Sequence, residues 1–252
     1  MKRATAEERA LARASMYRLL SLAFSYPTKD VHAQLEGALE VARVGATLVS
    51  DEIAAGVKAL ERALAGTGAR DLERSHQTVF TLSYSEDCPP YETAFSASHV
   101  FQQTQHQADV SGFYRAFGVR PDGDRPDHLA VELEFAYLLA LKEARAREEG
   151  DRSGLDTTRA AHRTFLREHL ARWAPLIAGR VVLAGGRDWH TAAGRLLAEF
   201  IGWEERFLRI GRVDRYRDEP APPEPTEADG CPLDECPPFL APDPEPRHAE
   251  IL

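Results

Sequence analysis

Cysteine is scarce in this chain: there are three among 252 residues, Cys88, Cys231 and Cys236. That odd count, at spacings that suggest no disulfide framework, fits a reducing compartment. Cys231 and Cys236, with His248, offer soft metal ligands, but their spacing is not the usual zinc-knuckle one and no second pair follows, so free thiols are the simpler reading. No apolar run reaches the ~18 residues that a bilayer span needs. The N-terminus MKRATAEERALARASMYRLL spreads its charges and lacks a basic head followed by an apolar block. The expectation is a soluble, cytoplasmic protein without membrane insertion. There is also no P-loop and no GxGxxG, and Gly185-Gly186 alone is no nucleotide signature.

An excess of positive charge is missing too. The net charge is −9, yet residues 218–252 hold ten Asp or Glu against one Arg, which leaves 30 acidic and 30 basic residues in the rest. A neutral body without a basic stripe offers no footprint for nucleic acid, which needs clustered Lys and Arg to displace counterions. The acidity belongs to the tail, where ten of the sixteen prolines also lie. That composition buries too little apolar surface to offset ordering entropy. The domain reading is therefore 1–217 as an all-helical body and 218–252 as an acidic, Pro-rich, disordered tail.

What is abundant is apolar periodicity of three and four, at 43% hydrophobic residues, with no sustained alternation of period two. The pattern predicts an all-α protein, a single helical-bundle domain. Helices are expected over 5–25, 29–43 and 50–65, then one led by Asp71 as N-cap, then 97–116, 126–148, 154–173 and 188–209. Pro27 stops the first of them. The run RVVLA is the one strand-like stretch and, being alone, is a loop or a helix end. CPPYE, residues 88–92, breaks the helical pattern, because two prolines remove two backbone donors; residues 83–95 are expected to form a loop.

The polar opening of an apolar helix, RPDHLAVELEFAYLL, is the conspicuous local feature. Asp124 or Arg125 is the expected N-cap, with Pro126 in the first turn and Asp127 where the helix dipole favours negative charge. His128 and Glu132, four apart, share a face and can pair. Three readings stand side by side. One is a stabilised helix start. Another is a metal or catalytic cluster, for which His99, His106, Asp109 and Glu92 are further ligand candidates without a ligand motif. The third is a groove in which Asp127 and Glu132 attract a basic peptide while apolar neighbours take its hydrophobic part.

Several segments in one order give the chain a wider resemblance: MYRLLSLAFSYPT, HQTVF, CPPYETAF, DVSGFYRAFGV and DRPDHLAVELEF. Together they resemble the TorD, DmsD and NarJ family of redox-enzyme maturation chaperones over most of residues 10–145, with a weaker helical correspondence to about 210. The resemblance implies a TorD-like helical bundle and no enzyme. Such a chaperone binds the apo catalytic subunit of a molybdenum-containing oxidoreductase, often through its twin-arginine signal peptide, and withholds it from export until cofactor is inserted. It implies recognition by Asp127 and His128 with Val79 and Phe80; His76 stands where the family often has an aromatic residue.

A twin-arginine peptide offers two guanidinium forks and an apolar stretch, so its receptor needs carboxylates beside an apolar groove. Asp127, Glu132 and Glu92 are the candidates for the first, and Val79, Phe80, Tyr91 and Tyr114 for the second. GFYRAF also has a plain reading as core packing. The NarJ-like look of CPPYE and DVSGFYRAFG points toward a client such as a nitrate, selenate, chlorate, dimethyl sulfide or ethylbenzene-type oxidoreductase. No cofactor or metal is assigned; weak binding of a guanine nucleotide or the molybdenum cofactor, known for some of the family, has no residues here. Monomer and dimer both stay open. The alternative function is a metal-binding protein or metal-dependent enzyme built on a His/Glu cluster around His128 and Glu132. If the acidic tail competes with a basic client for the groove, deleting residues 218–252 tightens binding of a twin-arginine peptide at low salt; unchanged affinity in a titration removes the idea.

Overall fold

Side-chain caps set where five of the described helices begin. Thr5 opens α1 (Ala6–Phe24) with a reciprocal box: Glu8 N–H donates to Thr5 Oγ1 at 3.0 Å and Thr5 N–H to Glu8 Oε2 at 2.7 Å. Thr28 caps α2 (Lys29–Val49), and Ser50 both ends α2 and caps α3 (Asp51–Leu64). The expected end of α2 at 43 falls short because VGATLV keeps the helical pattern up to that single-residue link. In α4 (Ala69–Phe80), Asp71 lies inside the first turn and is not the cap, since Leu72 N–H already bonds Gly68 C=O at 3.1 Å.

The computed structural model describes residues 4–80, 88–96, 100–121, 125–184 and 189–217, all within one unit, Met1–Asp218. The expected tail, residues 218–252 with Cys231 and Cys236, lies outside the described residues, as do 83–87 of the expected loop and Gly185-Gly186. The rest of that loop holds a four-residue helix, α5 (Thr93–Ser96), followed by α6 (Val100–Ala116) and α7 (Leu129–Glu148). A longer helical path comes next: α8 (Arg152–Phe165), capped by Asp151, a π turn (Leu166–Leu170), and α9 (Ala171–Ala184). RVVLA is thus the end of α9 and not a strand. The last helix is α10 (Trp189–Leu208). Among the described residues no helix is long and apolar enough to cross a membrane.

The architecture is an all-α bundle built around α1, which packs on α7 and α2, while α10 packs on α9 and α3. α1 buries residues on every side, among them Met16, Tyr17, Leu19, Leu20 and Phe24. Small residues allow the close approaches. A side chain on Gly45 of α2 would place its Cβ 3.2 Å from Ala12 Cα of α1, and one on Gly194 of α10 would meet Ala178 C=O of α9 at 3.0 Å.

At the centre lies a charge that the apolar pattern of α1 conceals. Arg13 is fully buried and donates from Nε and Nη2 to the two oxygens of Glu204 (2.6 and 2.9 Å) and from Nη1 to Glu143 Oε2 (2.7 Å). Its Nη2 also lies 3.3 Å from His162 Nδ1. A guanidinium only donates, so Nδ1 must accept; His162 then carries its proton on Nε2, 3.2 Å from Tyr17 Oη. Burial, aided by the charge of Arg13, holds His162 well below the usual histidine range. Arg147 supplies the second positive charge, 2.8 Å from Glu143 Oε1. One network therefore ties α1, α7, α8 and α10 together.

Removing Arg13 leaves the buried Glu204 without its cation and Glu143 with Arg147 as its remaining close cation, so Arg13→Met is expected to destabilise the fold by about 3–5 kcal/mol. Urea unfolding checks this, and adding Glu204→Gln to that variant is expected to recover part of the loss.

Candidate functional site

Two segments that looked separate in sequence form one unit. Pro89 and Pro90 have no N–H to give, but the Pro90 carbonyl accepts from Leu129 N–H at 2.9 Å, and Glu92 N–H donates to the Asp127 carbonyl at 2.9 Å. Tyr91 and His128 form an isolated antiparallel bridge between these bonds. Pro126 and Asp127 consequently form a turn, closed by His128 N–H on the Arg125 carbonyl at 3.1 Å, His128 is extended, and α7 begins at Leu129, three residues later than expected. His128, and not Asp124 or Arg125, is its N-cap: the side-chain Nδ1 accepts from Ala130 N–H at 3.1 Å.

Asp127 faces away from the α7 dipole, into the clamp. Its Oδ2 accepts from Thr93 N–H (3.2 Å) and Thr93 Oγ1–H (2.6 Å), and Arg125 closes over it with Nε on Oδ1 (3.1 Å) and Nη2 on Oδ2 (2.9 Å). The Arg125 guanidinium also lies 4.1 Å over the Tyr91 ring. The expected His128–Glu132 pair does not form, because the capping imidazole turns onto its own backbone and Glu132 points inward to accept from Trp173 Nε1 at 3.1 Å. Burial, reinforced by the charge of Glu92, raises the Glu132 carboxyl well above the usual range.

All three acidic candidates, Glu92, Asp127 and Glu132, have 0% exposure. Glu92 reaches a second group of side chains. Its Oε1 accepts from Tyr216 Oη–H at 3.1 Å, and its Oε2 lies 3.1 Å from His169 Nδ1 and 2.8 Å from His106 Nε2. Burial would raise this carboxyl, but the two imidazoles outweigh it and hold it at about 2. For His106, burial works downward and the Glu92 carboxylate overcomes it, so its pKa is raised.

The apolar candidates divide in the same way. Val79, Phe80 and Tyr114 are buried; Tyr114 donates its hydroxyl to the Pro126 carbonyl at 2.7 Å and packs on Phe135 at 4.8 Å, as the core reading of GFYRAF implies. His76, Tyr91 and His128 are partly exposed. The His76 ring lies 4.7 Å from Phe80, 5.3 Å from Tyr26 and 5.8 Å from His190. Burial lowers the pKa of His76, and the charge of His128 adds to the lowering. The structure thus gathers His76, Tyr91 and His128 with Tyr26 and Arg125 into one surface neighbourhood, with the remaining candidates beneath it.

Among the described residues, the cluster with ligand-type atoms drawn together is Glu92, His106 and His169, not His128 and Glu132. Sequence reading had named Glu92 and His106 as scattered candidates and missed His169, which no spacing motif connects to them. Arg125 was considered only as a cap, and nothing in the linear pattern marks it as the partner of Asp127.

This all-α bundle, with its Pro-Pro-Tyr-Glu strip clamped to a Pro-Asp-His helix start, defines a class, and comparison with known proteins identifies it. The model of the "Nitrate reductase delta subunit" family matches residues 49–178, about half of the chain. The chain belongs to that family, within the TorD, DmsD and NarJ group of redox-enzyme maturation chaperones. It is similar to the "Selenate reductase assembly chaperone protein" of Thauera selenatis, at 29% identity over 170 residues, 65% of this chain and 74% of the relative. Among solved structures it is similar to a putative redox enzyme maturation protein from Archaeoglobus fulgidus, with TM-score 0.48 and 20% identity, covering 80% of this chain and 97% of that one. Membership makes the chain a chaperone in molybdoenzyme maturation and not an enzyme, and associates it with molybdoenzyme catalytic subunits.

Burial, with a further push from a neighbouring imidazole in each case, lowers His76 to about 4 and His190 to about 3. Below pH ~6.5 the unfolded chain takes up protons that these folded residues refuse, so stability is expected to fall as pH drops toward 4, by up to about 1.4 kcal/mol per pH unit for each histidine. Urea unfolding at a series of pH values checks the slope, and His76→Phe is expected to flatten it.

Proposed function

We propose that this protein holds the apo catalytic subunit of a molybdopterin-dependent oxidoreductase in the cytoplasm, through its twin-arginine signal peptide, until cofactor insertion is complete. The observation that carries this reading is the Arg125–Asp127 pair beside the exposed edges of His76, Tyr91 and His128. Arg125 keeps about two-fifths of its side chain in solvent while both of its donating groups engage the buried carboxylate. A guanidinium on the client can take over that bidentate place and stack on the Tyr91 ring, as Arg125 does while also donating to Thr93 Oγ1. The apolar stretch after the arginines then runs over Tyr26 and His76, whose support is Phe80 and Val79.

The likeness to a selenate reductase assembly chaperone supports a client of the selenate or nitrate reductase kind. In this reading Glu92, Glu132 and Tyr114 do not touch the peptide; they fix the strip and the helix start that present the surface residues.

The test is an affinity pull-down from the native cytoplasm with mass-spectrometric identification. Wild type is compared with Asp127→Ala/His128→Ala and with the surface pair His76→Ala/Tyr91→Ala, which leaves the clamp's backbone bonds in place. A molybdoenzyme catalytic subunit is expected with wild type and at least tenfold less of it with each variant, the surface pair keeping its thermal midpoint within a few degrees. Equal capture by the surface pair would overturn the assignment of this face; equal capture of a client lacking its signal peptide would overturn the signal-peptide route.

A further inference from the structure

Glu92 comes from the clamped strip, His106 from the middle of α6 and His169 from the π turn before α9. Their ligand-type atoms all lie within 4.8 Å of one another. The carboxylate oxygen Glu92 Oε2 is the common point, 2.8 Å from His106 Nε2 and 3.1 Å from His169 Nδ1, and the two rings stand 75° apart. These separations are close to the roughly 3.0–3.4 Å between neighbouring ligands that each sit about 2.0–2.2 Å from a shared ion.

The hydrogen bonding leaves a gap that such an ion would fill. His106 Nε2 is buried and near Glu92, yet its direction makes no hydrogen bond. The opposite nitrogen of His169, Nε2, lies 3.6 Å from Asp109 Oδ2, so a carboxylate stands behind the imidazole as it does behind many metal-bound histidines. Tyr216 holds the other oxygen of Glu92 and so orients the carboxylate. An extra residue in the π turn is a recurrent way to aim one side chain at a site, and here it carries His169.

We propose that Glu92, His106 and His169 form a binding site for a divalent transition-metal cation of the zinc class, with one carboxylate oxygen and two imidazole nitrogens as ligands. Two nitrogens and one oxygen suit zinc, cobalt or nickel better than magnesium or calcium, which prefer oxygen shells. Asp109 and Tyr216 are outer partners. The ion would join the strip that carries Tyr91, α6 and the π turn, setting the stiffness of the surface above it. The site does not depend on the chaperone reading, and its failure would leave that reading untouched.

The test uses the full-length chain carrying Cys231→Ser and Cys236→Ser, which removes the tail thiols as competing ligands. After chelator treatment it is titrated with Zn2+ by calorimetry and with Co2+ by visible absorption. One equivalent is expected to bind and to raise the thermal midpoint. His106→Ala and His169→Ala are each expected to bind at least tenfold more weakly and to lose the rise. His106 is partly exposed, so its variant decides the matter if His169→Ala does not fold. No saturable binding in the folded parent, or equal affinity in His106→Ala, would overturn the proposal and leave the cluster as a hydrogen-bonded ion group.

Discussion

The buried guanidinium of Arg13 is the constraint around which the bundle is arranged. A lone positive charge at that depth would be prohibitive, so Glu143 and Glu204 must come to it, and Arg147 must then balance the second carboxylate. Apolar packing would tolerate small rotations of α1, α7, α8 and α10 about their axes. The bidentate Arg13–Glu204 contact and the single lone pair of His162 do not, and this fixes which face of α7 points outward at its other end, where the helix opens beside the Pro-Pro strip.

That opening depends on a division between support and display. The carboxylates with the look of a receptor for cations are inside, each with a different occupation: Asp127 fastens a loop, Glu132 holds a tryptophan, and Glu92 gathers two histidines. What meets solvent is aromatic and imidazole edge, with one arginine lying over its own carboxylate. A surface of that kind discriminates by what can displace Arg125, so selectivity resides in an exchange of like for like rather than in a standing negative field.

The all-α class and most helices were legible in the sequence because the three-and-four periodicity is strong and Pro27, Thr28 and Ser50 are local stop and start signals. The order of motifs also carried the family. Burial was not legible. Arg13 sits in ERALARASMYRLL, where an arginine reads as a solvent-facing helix residue until Glu204, far along the chain, is brought to it. The helix start was misplaced for a related reason: Pro126 and Asp127 have good first-turn chemistry, but the Pro90 carbonyl takes the Leu129 N–H and the bridge to Tyr91 holds His128 extended, so the two residues form a separate turn before the helix. His169 was invisible because its partners lie on two other elements and no spacing rule links them.

The π turn at Leu166–Leu170 makes the chain length between α8 and α9 a discrete variable. Ala171 N–H reaches back five residues to Leu166 C=O, one more than an α-helix uses. Losing a single residue there would close the wide turn to an α-helical one and leave α9 near its present orientation, because the wide turn takes up about one residue more per revolution than an α-helix. Trp173 would keep its place against Glu132 and α9 against Gly194, while His169 would lose the aim that the wide turn gives it. The cost of a one-residue deletion therefore falls on the cluster of Glu92, His106 and His169 rather than on the packing of the bundle, so this stretch can change its length without changing the fold.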